Sequence, residues 1–214
     1  MEKNIVITIA RQYGSGGRTI AQMLSERLGI HYYDKELLKL ASEDSGINED
    51  LFRNADEHVK TTQLFKIAHS VYKGELIPPE SDDFTSMENL FNYQAKIIKK
   101  LAEQDESCII VGRCAEYVLK DYSNCFNIYI YAPFEKRIEN CVTQLGMEED
   151  VAIKMIMEVD KARRKYHKKY TNYYPSDLNN RNLMIDSSFF GVEGTAQMVA
   201  DIVRKHFGES ETTA

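Results

Sequence analysis

The sequence predicts an α/β fold, a three-layer α/β/α arrangement in which helices cover both faces of a parallel sheet of about five strands. Three observations lead to it. Short apolar runs rich in β-branched residues recur along the chain, as expected of strands buried on both faces. Segments with apolar residues at helical spacing separate them. A glycine cluster sits between the first such strand and the first such helix, so a binding site is expected at the carboxyl ends of the strands.

Ile5, Val6, Ile7 and Ile9 form the first strand. From Arg18 to Leu28 the apolar positions Ile20, Met23, Leu24 and Leu28 mark a helix, which Gly29 stops. Ile30 to Tyr33 is a second strand, after which Asp34 is placed to cap a helix carrying Leu37, Leu38 and Ala41. Residues 44–76 have weaker periodicity and many charges, and Ile77 to Asp83, with Pro78 and Pro79, reads as a loop. Leu90 to Leu101 is an amphipathic helix leading to a third strand, Cys108 to Val111. A fourth strand spans Phe126 to Tyr131, and Pro133 starts the helix that follows. Glu149 to Lys169 reads as one long helix, Leu183 to Ile185 as the last strand and Gly191 to Phe207 as the closing helix. No internal repeat or low-complexity tract interrupts the series.

At 214 residues, one fold of this kind buries roughly 70% or more of its unfolded surface. Hydrophobic residues at 43% and charged residues at 28% are ordinary for a soluble globular protein. No stretch approaches the length of about 18 consecutive apolar residues that a membrane span needs. The N-terminus lacks the pattern of a signal peptide, so a cytoplasmic location is expected. A net charge of -6 argues against a general nucleic-acid binder. Cys108, Cys114, Cys125 and Cys141 show no metal-ligand spacing and read as free, buried thiols. The five histidines are scattered and receive no catalytic role.

The glycine cluster carries the chemistry. In A-R-Q-Y-G-S-G-G-R-T, starting at Ala10, Gly14, Gly16 and Gly17 permit positive φ and close backbone approach. Successive N–H groups then surround phosphate oxygens at the positive end of the next helix. Strand, glycine loop and helix in this order give the P-loop NTPase type of three-layer fold. The loop departs from G-x-x-x-x-G-K-[ST], and two registers are open. In one, Arg11 replaces the first glycine, Gly17 the lysine and Arg18 the hydroxyl residue. In the other, Gln12 leads and Gly17-Arg18-Thr19 stands for Gly-Lys-Thr. Arg18 is the leading substitute cation, with a guanidinium that forks onto phosphate oxygens.

The segments ITIARQYGSGGRTIAQMLSERLGIHYYDKELL, IIVGRCAEYVL, YIYAPFEKRI, VDKARRKYHKKYT and MIDSSFFGVEG together resemble the cytidylate kinase-like family, relatives of the nucleoside monophosphate kinases. The resemblance is closest for residues 1–43 and 105–206. It implies an ATP-dependent kinase with Mg²⁺ as cofactor, moving the γ-phosphate to a nucleoside monophosphate, CMP or dCMP first, or to another small acceptor. It implies one domain over 1–214, with a helical acceptor-binding insertion at about 44–104 and a lid at about 158–180. Gly14, Ser15, Gly16, Gly17, Arg18 and Thr19 would hold donor phosphates. Asp34, Gly112, Arg113 and Asp160 would meet the acceptor, and Arg18, Arg113 and Arg163 would be catalytic.

Gly112-Arg113 matches the Gly-Arg of the family's D-G-R-D segment, with Val111 and Cys114 in place of its aspartates. Of its R-D-x-x-D-x-x-R lid pattern, aligned with Val159, Asp160, Arg163 and Tyr166, Asp160 agrees. The run KARRKYHKK, Lys161 to Lys169, holds six Lys or Arg and no acid. It is a local positive field, with a solvated helix as the alternative reading. No strand ends in a Walker B aspartate, so magnesium is expected to be held mainly by phosphates and water, with no protein metal site. Asp186 reads as a turn residue. The partners expected are a small phosphate acceptor, with neither nucleic acid nor membrane. A catalytically weak nucleotide- or anion-sensing protein is the alternative function, and an RNA-binding module using the basic, tyrosine-containing helix is a third.

Overall fold

The computed structural model describes residues 4–57 and 75–208. Five strands alternate with helices: β1 (Val6–Arg11), β2 (His31–Tyr33), β3 (Cys108–Val111), β4 (Cys125–Tyr131) and β5 (Leu183–Asp186). They form one parallel sheet in the order β2-β3-β1-β4-β5. The helices are α1 (Gly17–Leu28), α2 (Glu36–Ser45), α3 (Glu49–Glu57), α4 (Met87–Ala102), α5 (Ala115–Val118), α6 (Phe134–Leu145), α7 (Glu149–Thr171) and α8 (Ser187–Phe207). This is the three-layer arrangement that the alternation of strand and helix predicts.

Side-chain alternation along the strands separates two cores. Ile7, Ile9, Ile109, Val111, Ile128 and Ile130 face α1 and α8 through Ile20, Leu24, Val199 and Val203. Val6, Cys108 and Ile110 point the other way, into a cluster with Leu37, Phe52, Phe91, Ile98 and Tyr170. β1 is central, with partners on both edges, so its carboxyl end lies in the middle of the sheet. Because α1 leads toward β2 while α6 and α7 lead toward β5, the chain reverses its winding direction between β1 and β4. A crevice at the strand ends follows from that reversal.

The described part of the expected insertion at 44–104 contains α3, the loop from Glu75 and α4. α4 belongs to the covering layer, with Leu90, Phe91, Ile97 and Ile98 buried, because its apolar face lies on the sheet side of the molecule. Residues 58–74 lie outside the described segments. α8 contains a break at Gly191, where φ is 68° and ψ is 174°, so the uninterrupted closing helix begins after it, as its spacing predicts. Asp186 caps the turn before this break by accepting from the Ser188 N–H at 2.8 Å. No helix among the described residues is long and apolar enough to cross a membrane.

Cys108, Cys114 and Cys141 are buried free thiols, and Cys125 is half-buried. Burial pushes the Cys108 thiol up to about 12 and the Cys125 thiol up to about 11. These sulfurs behave as small apolar side chains.

Candidate active site at the carboxyl ends of the strands

The loop after β1 is built by its glycines and then clamped from outside. Gly14 and Gly16 have φ of 77° and 71°, the left-handed region that side-chain-bearing residues avoid. Gly16 is also the N-cap of α1. A Cβ at Gly14 would lie 2.8 Å from the Arg137 carbonyl oxygen, and one at Gly16 would lie 2.7 Å from Val192 Cγ2. Ser15 is fully buried, and its hydroxyl donates to the Gln12 carbonyl at 2.9 Å. Ser187 donates to the Ser15 carbonyl at 2.7 Å, and Asn140 to the Gly14 carbonyl at 2.9 Å. These bonds pin the two carbonyls to α8 and α6 and fix the loop at the N-terminus of α1.

Gly17 is different. Its backbone is not in the positive-φ region, so the chain conformation does not require glycine there. Space requires it, because an added Cβ would lie 2.7 Å from Arg11 Cβ and 3.0 Å from Arg11 Cγ. The Arg11 side chain crosses this point and continues toward β3, where its Nη1 lies 2.5 Å from the position of a Cβ on Gly112. Its Nη2 is 3.7 Å from Asp34 Oδ1.

The sequence places Asp34 to cap α2, but the N-cap is Lys35, with no side-chain capping bond. The Asp34 carboxylate turns instead to the glycine loop, where Arg18 Nε is 3.0 Å from its Oδ2. Two guanidiniums attract a buried carboxylate more strongly than one capping hydrogen bond. The hydrogen bond to Tyr32 and the charge of Asp34 hold the Arg18 guanidinium above its ordinary range.

At the end of β3, Gly112, Arg113 and Cys114 have φ of 82°, 56° and 54° in succession. Two consecutive non-glycine residues in this region cost about 1–2 kcal/mol each. Such strain concentrates where a site needs a side chain aimed against local preference. Here it falls on Arg113, itself buried, directly after Gly112, the residue that Arg11 Nη1 approaches at the carboxyl edge of the sheet.

The third group comes from α7. Asp160 accepts from the Tyr13 N–H at 2.8 Å and pairs with Arg137 at 2.5 Å, so both carboxylate oxygens hold the glycine loop and α6. Arg163, one turn on, donates to the Arg11 carbonyl at 3.2 Å, with its guanidinium 5.8 Å from the Tyr13 ring centre. A cavity of about 390 Å³ lies at the winding reversal, lined among others by Gln12, Tyr129, Tyr131, Arg137, Arg163 and Arg164. Burial of Arg137 leaves its Nε with no hydrogen-bonding partner among the described residues. The basic run does not act as one face. Tyr166 and His167 within it, and Tyr170 just after it, are buried, with Tyr170 stacked on Phe91 at 4.0 Å, so neither tyrosine is displayed for stacking on bases.

The glycine loop, Arg18, Asp34, Gly112, Arg113, Asp160 and Arg163 therefore gather around the carboxyl end of β1, from segments spread over most of the chain. Thr19 is exposed on the first turn of α1. Arg11 and Arg137 were not singled out by the sequence. Arg11 sits where the loop motif has a glycine, and Arg137 looks like any surface charge of an amphipathic helix. Among the described residues, no three His, Cys, Asp or Glu side chains gather as a metal cage.

Comparison with known proteins gives the family and the fold. A cytidylate kinase from Methanocaldococcus jannaschii is 24% identical over 203 residues, covering 93% of this chain and 97% of that protein. A cytidylate kinase from Thermoplasma volcanium is 24% identical over 196 residues, covering 90% and 88%. Among solved structures, a protein from Eubacterium ventriosum superposes with a TM-score of 0.64 at 24% identity, covering 95% of this chain and 98% of the other. A shikimate kinase from Bacteroides thetaiotaomicron superposes with a TM-score of 0.53 at 10% identity, covering 94% and 98%. These two likenesses establish the P-loop NTPase-type fold. The sequence pattern of the cytidylate kinase-like family matches residues 6–189, from the first residue of β1 to beyond β5, and the chain belongs to that family.

Proposed function

We propose that this kinase-family enzyme moves the γ-phosphate of ATP to a nucleoside monophosphate, with CMP and dCMP the first acceptors to test. The observation that carries the reading is the convergence on one crevice of a glycine cradle at a helix N-terminus and a strained Gly-Arg pair at the next strand end. Gly14 to Thr19 would hold the donor phosphates. Asp34, Gly112 and Arg113 would position the acceptor, with Arg18 linking the two through its pair with Asp34. Arg163 would approach from α7, with Asp160 fixing that helix to the loop. The region at about 158–180 would act as a lid over these groups, and 44–104 would contribute the acceptor side.

In the transfer itself, an acceptor phosphate oxygen attacks the γ-phosphorus, the bond to the β,γ-bridging oxygen breaks and ADP leaves. Such a reaction asks the protein for alignment and charge neutralisation, and no covalent nucleophile is needed. Magnesium would travel with the nucleotide and shield its phosphate charge. With Gly17 in the place of the motif's lysine, Arg18 stands where its hydroxyl residue would be. Phosphate oxygens and water are then the natural ligands of the ion. A cytoplasmic setting belongs to the same proposal.

The test is incubation of the purified protein with Mg-ATP and a panel of nucleoside monophosphates, nucleosides and small alcohols. ADP release coupled to phosphorylation of CMP or dCMP is expected. Turnover on a different acceptor would replace the nucleotide assignment. Calorimetric binding of ATP without turnover on any acceptor would favour a nucleotide sensor.

A further inference from the structure

We infer that Arg11, and not Arg18, takes the place of the missing loop lysine, through an exchange of side chains between positions 11 and 17. The inference rests on the reading of the glycine loop as a donor-phosphate cradle. In G-x-x-x-x-G-K-[ST] the first position is glycine and the seventh lysine; counted from Arg11, the seventh residue is Gly17. The two departures from the motif are therefore an arginine where glycine belongs and a glycine where lysine belongs.

The structure couples them sterically. The Arg11 stem fills the space in which a side chain on residue 17 would start, with an added Cβ only 2.7 Å from Arg11 Cβ. Gly17 carries no backbone demand for glycine, so the absence of a side chain there is explained by Arg11 alone. Arg11 and a lysine at 17 exclude one another, and each removes the need for the other.

The second argument is placement. Arg11 leaves the last position of β1, crosses the first residue of α1 and ends between Gly112 and Asp34. Its guanidinium thus lies on the floor of the crevice, between the donor loop and the acceptor-side segments. Its side chain is 18% exposed, against 56% for Arg18, whose Nε is occupied by Asp34. Both guanidiniums face Asp34, Arg18 at 3.0 Å and Arg11 at 3.7 Å, and the half-exposed Arg18 is the rim group of the two. A nearly enclosed arginine beside a helix N-terminus is placed to neutralise phosphate charge, and its fork can engage two oxygens at once. Arg163 fixes the Arg11 backbone by donating to its carbonyl.

The test measures binding of the magnesium complex of β,γ-imido-ATP by calorimetry, with melting temperature as the fold control. Wild type is expected to bind; no binding would overturn the donor-cradle reading itself, and this inference with it. Arg11→Met keeps the stem that packs on Gly17 and removes the charge. It is expected to stay folded with a modestly lowered melting temperature, since Asp34 keeps Arg18, and to bind at least about tenfold more weakly, as expected for loss of a charge-assisted hydrogen bond. Unchanged affinity in this variant overturns the inference while leaving the donor reading intact. Gly17→Lys alone is expected to lower both affinity and melting temperature. The double variant Arg11→Gly, Gly17→Lys is expected to recover affinity beyond the single Gly17→Lys variant, since coupled sites are non-additive. A single variant that binds as well as the double one would show that the two positions are not exchanged. If the double variant does not fold, Arg11→Met decides the matter alone.

Discussion

At Gly14 the loop's demand on a single residue can be measured. The residue combines φ of 77° with a backbone oxygen, that of Arg137, only 2.8 Å from where a Cβ would be. A carbonyl in a helix cannot swing aside as a side-chain tip can. Gly14→Ala is therefore expected to cost at least about 2 kcal/mol, from left-handed strain plus the clash. That lowers the melting temperature on the order of 5 °C for a chain of this size. A thermal scan superimposable on wild type would contradict the account. Gly17 contrasts with it, since its neighbour is a side chain and the cost of substitution depends on what occupies position 11. The sequence marks both as members of one glycine cluster and does not separate a backbone requirement from a packing one.

Among the elements, α7 links the most distant parts of the site. Its first half packs Ala152 and Ile156 against α6, its last turns bury Tyr166 and Tyr170 beside α4, and between them Asp160 and Arg163 reach the glycine loop. Asp160 answers both the Tyr13 N–H and a buried guanidinium, so its loss strands Arg137. Asp160→Ala is expected to destabilise the protein by about 3 kcal/mol, and Asp160→Asn, which keeps an acceptor for Tyr13, by less. Urea unfolding of the pair checks this, and a change within about 0.5 kcal/mol of wild type for the alanine variant would refute the structural role. The extent of α7 was legible in the sequence, as were the strands, most plainly β1, β3 and β4, where burial leaves an apolar run. Which charges of KARRKYHKK face the site was not legible. Six basic residues on one helix look alike until their neighbours are known, and here Tyr166 and His167 turn part of the run into the core.

Over the whole molecule, a buried polar junction at Glu116 ties α5, α7 and the segment before β5 together. Glu116 bonds His167, is 3.1 Å from Arg181 Nη2 and receives the Tyr173 hydroxyl at 3.5 Å. Burial alone would raise its carboxyl; the His167 hydrogen bond and the Arg181 charge outweigh this and hold it down, to about 2 from an ordinary 4.5. A carboxylate whose folded value lies below its unfolded one contributes stability above the unfolded value and loses it as pH falls toward the folded value. The contribution of Glu116, about 3 kcal/mol, is thus full at neutral pH and disappears between about 4.5 and about 2. Glu116→Gln is expected to be destabilised at neutral pH, with the gap to wild type narrowing through that acid window. Urea midpoints measured across pH would show it, and a gap independent of pH would contradict it.

The sequence by itself determined the order of strands and helices, the parallel sheet, the location of the glycine loop and the family, because these depend on local spacing and on glycines adjacent along the chain. Tertiary structure decided that the Arg11 stem fills the space beside Gly17, that Asp34 faces Arg18 and not its own helix, and that Asp160 braces the loop from 147 residues away. Those outcomes depend on which side chain fills which space between segments far apart in sequence. Local spacing carries no record of that packing.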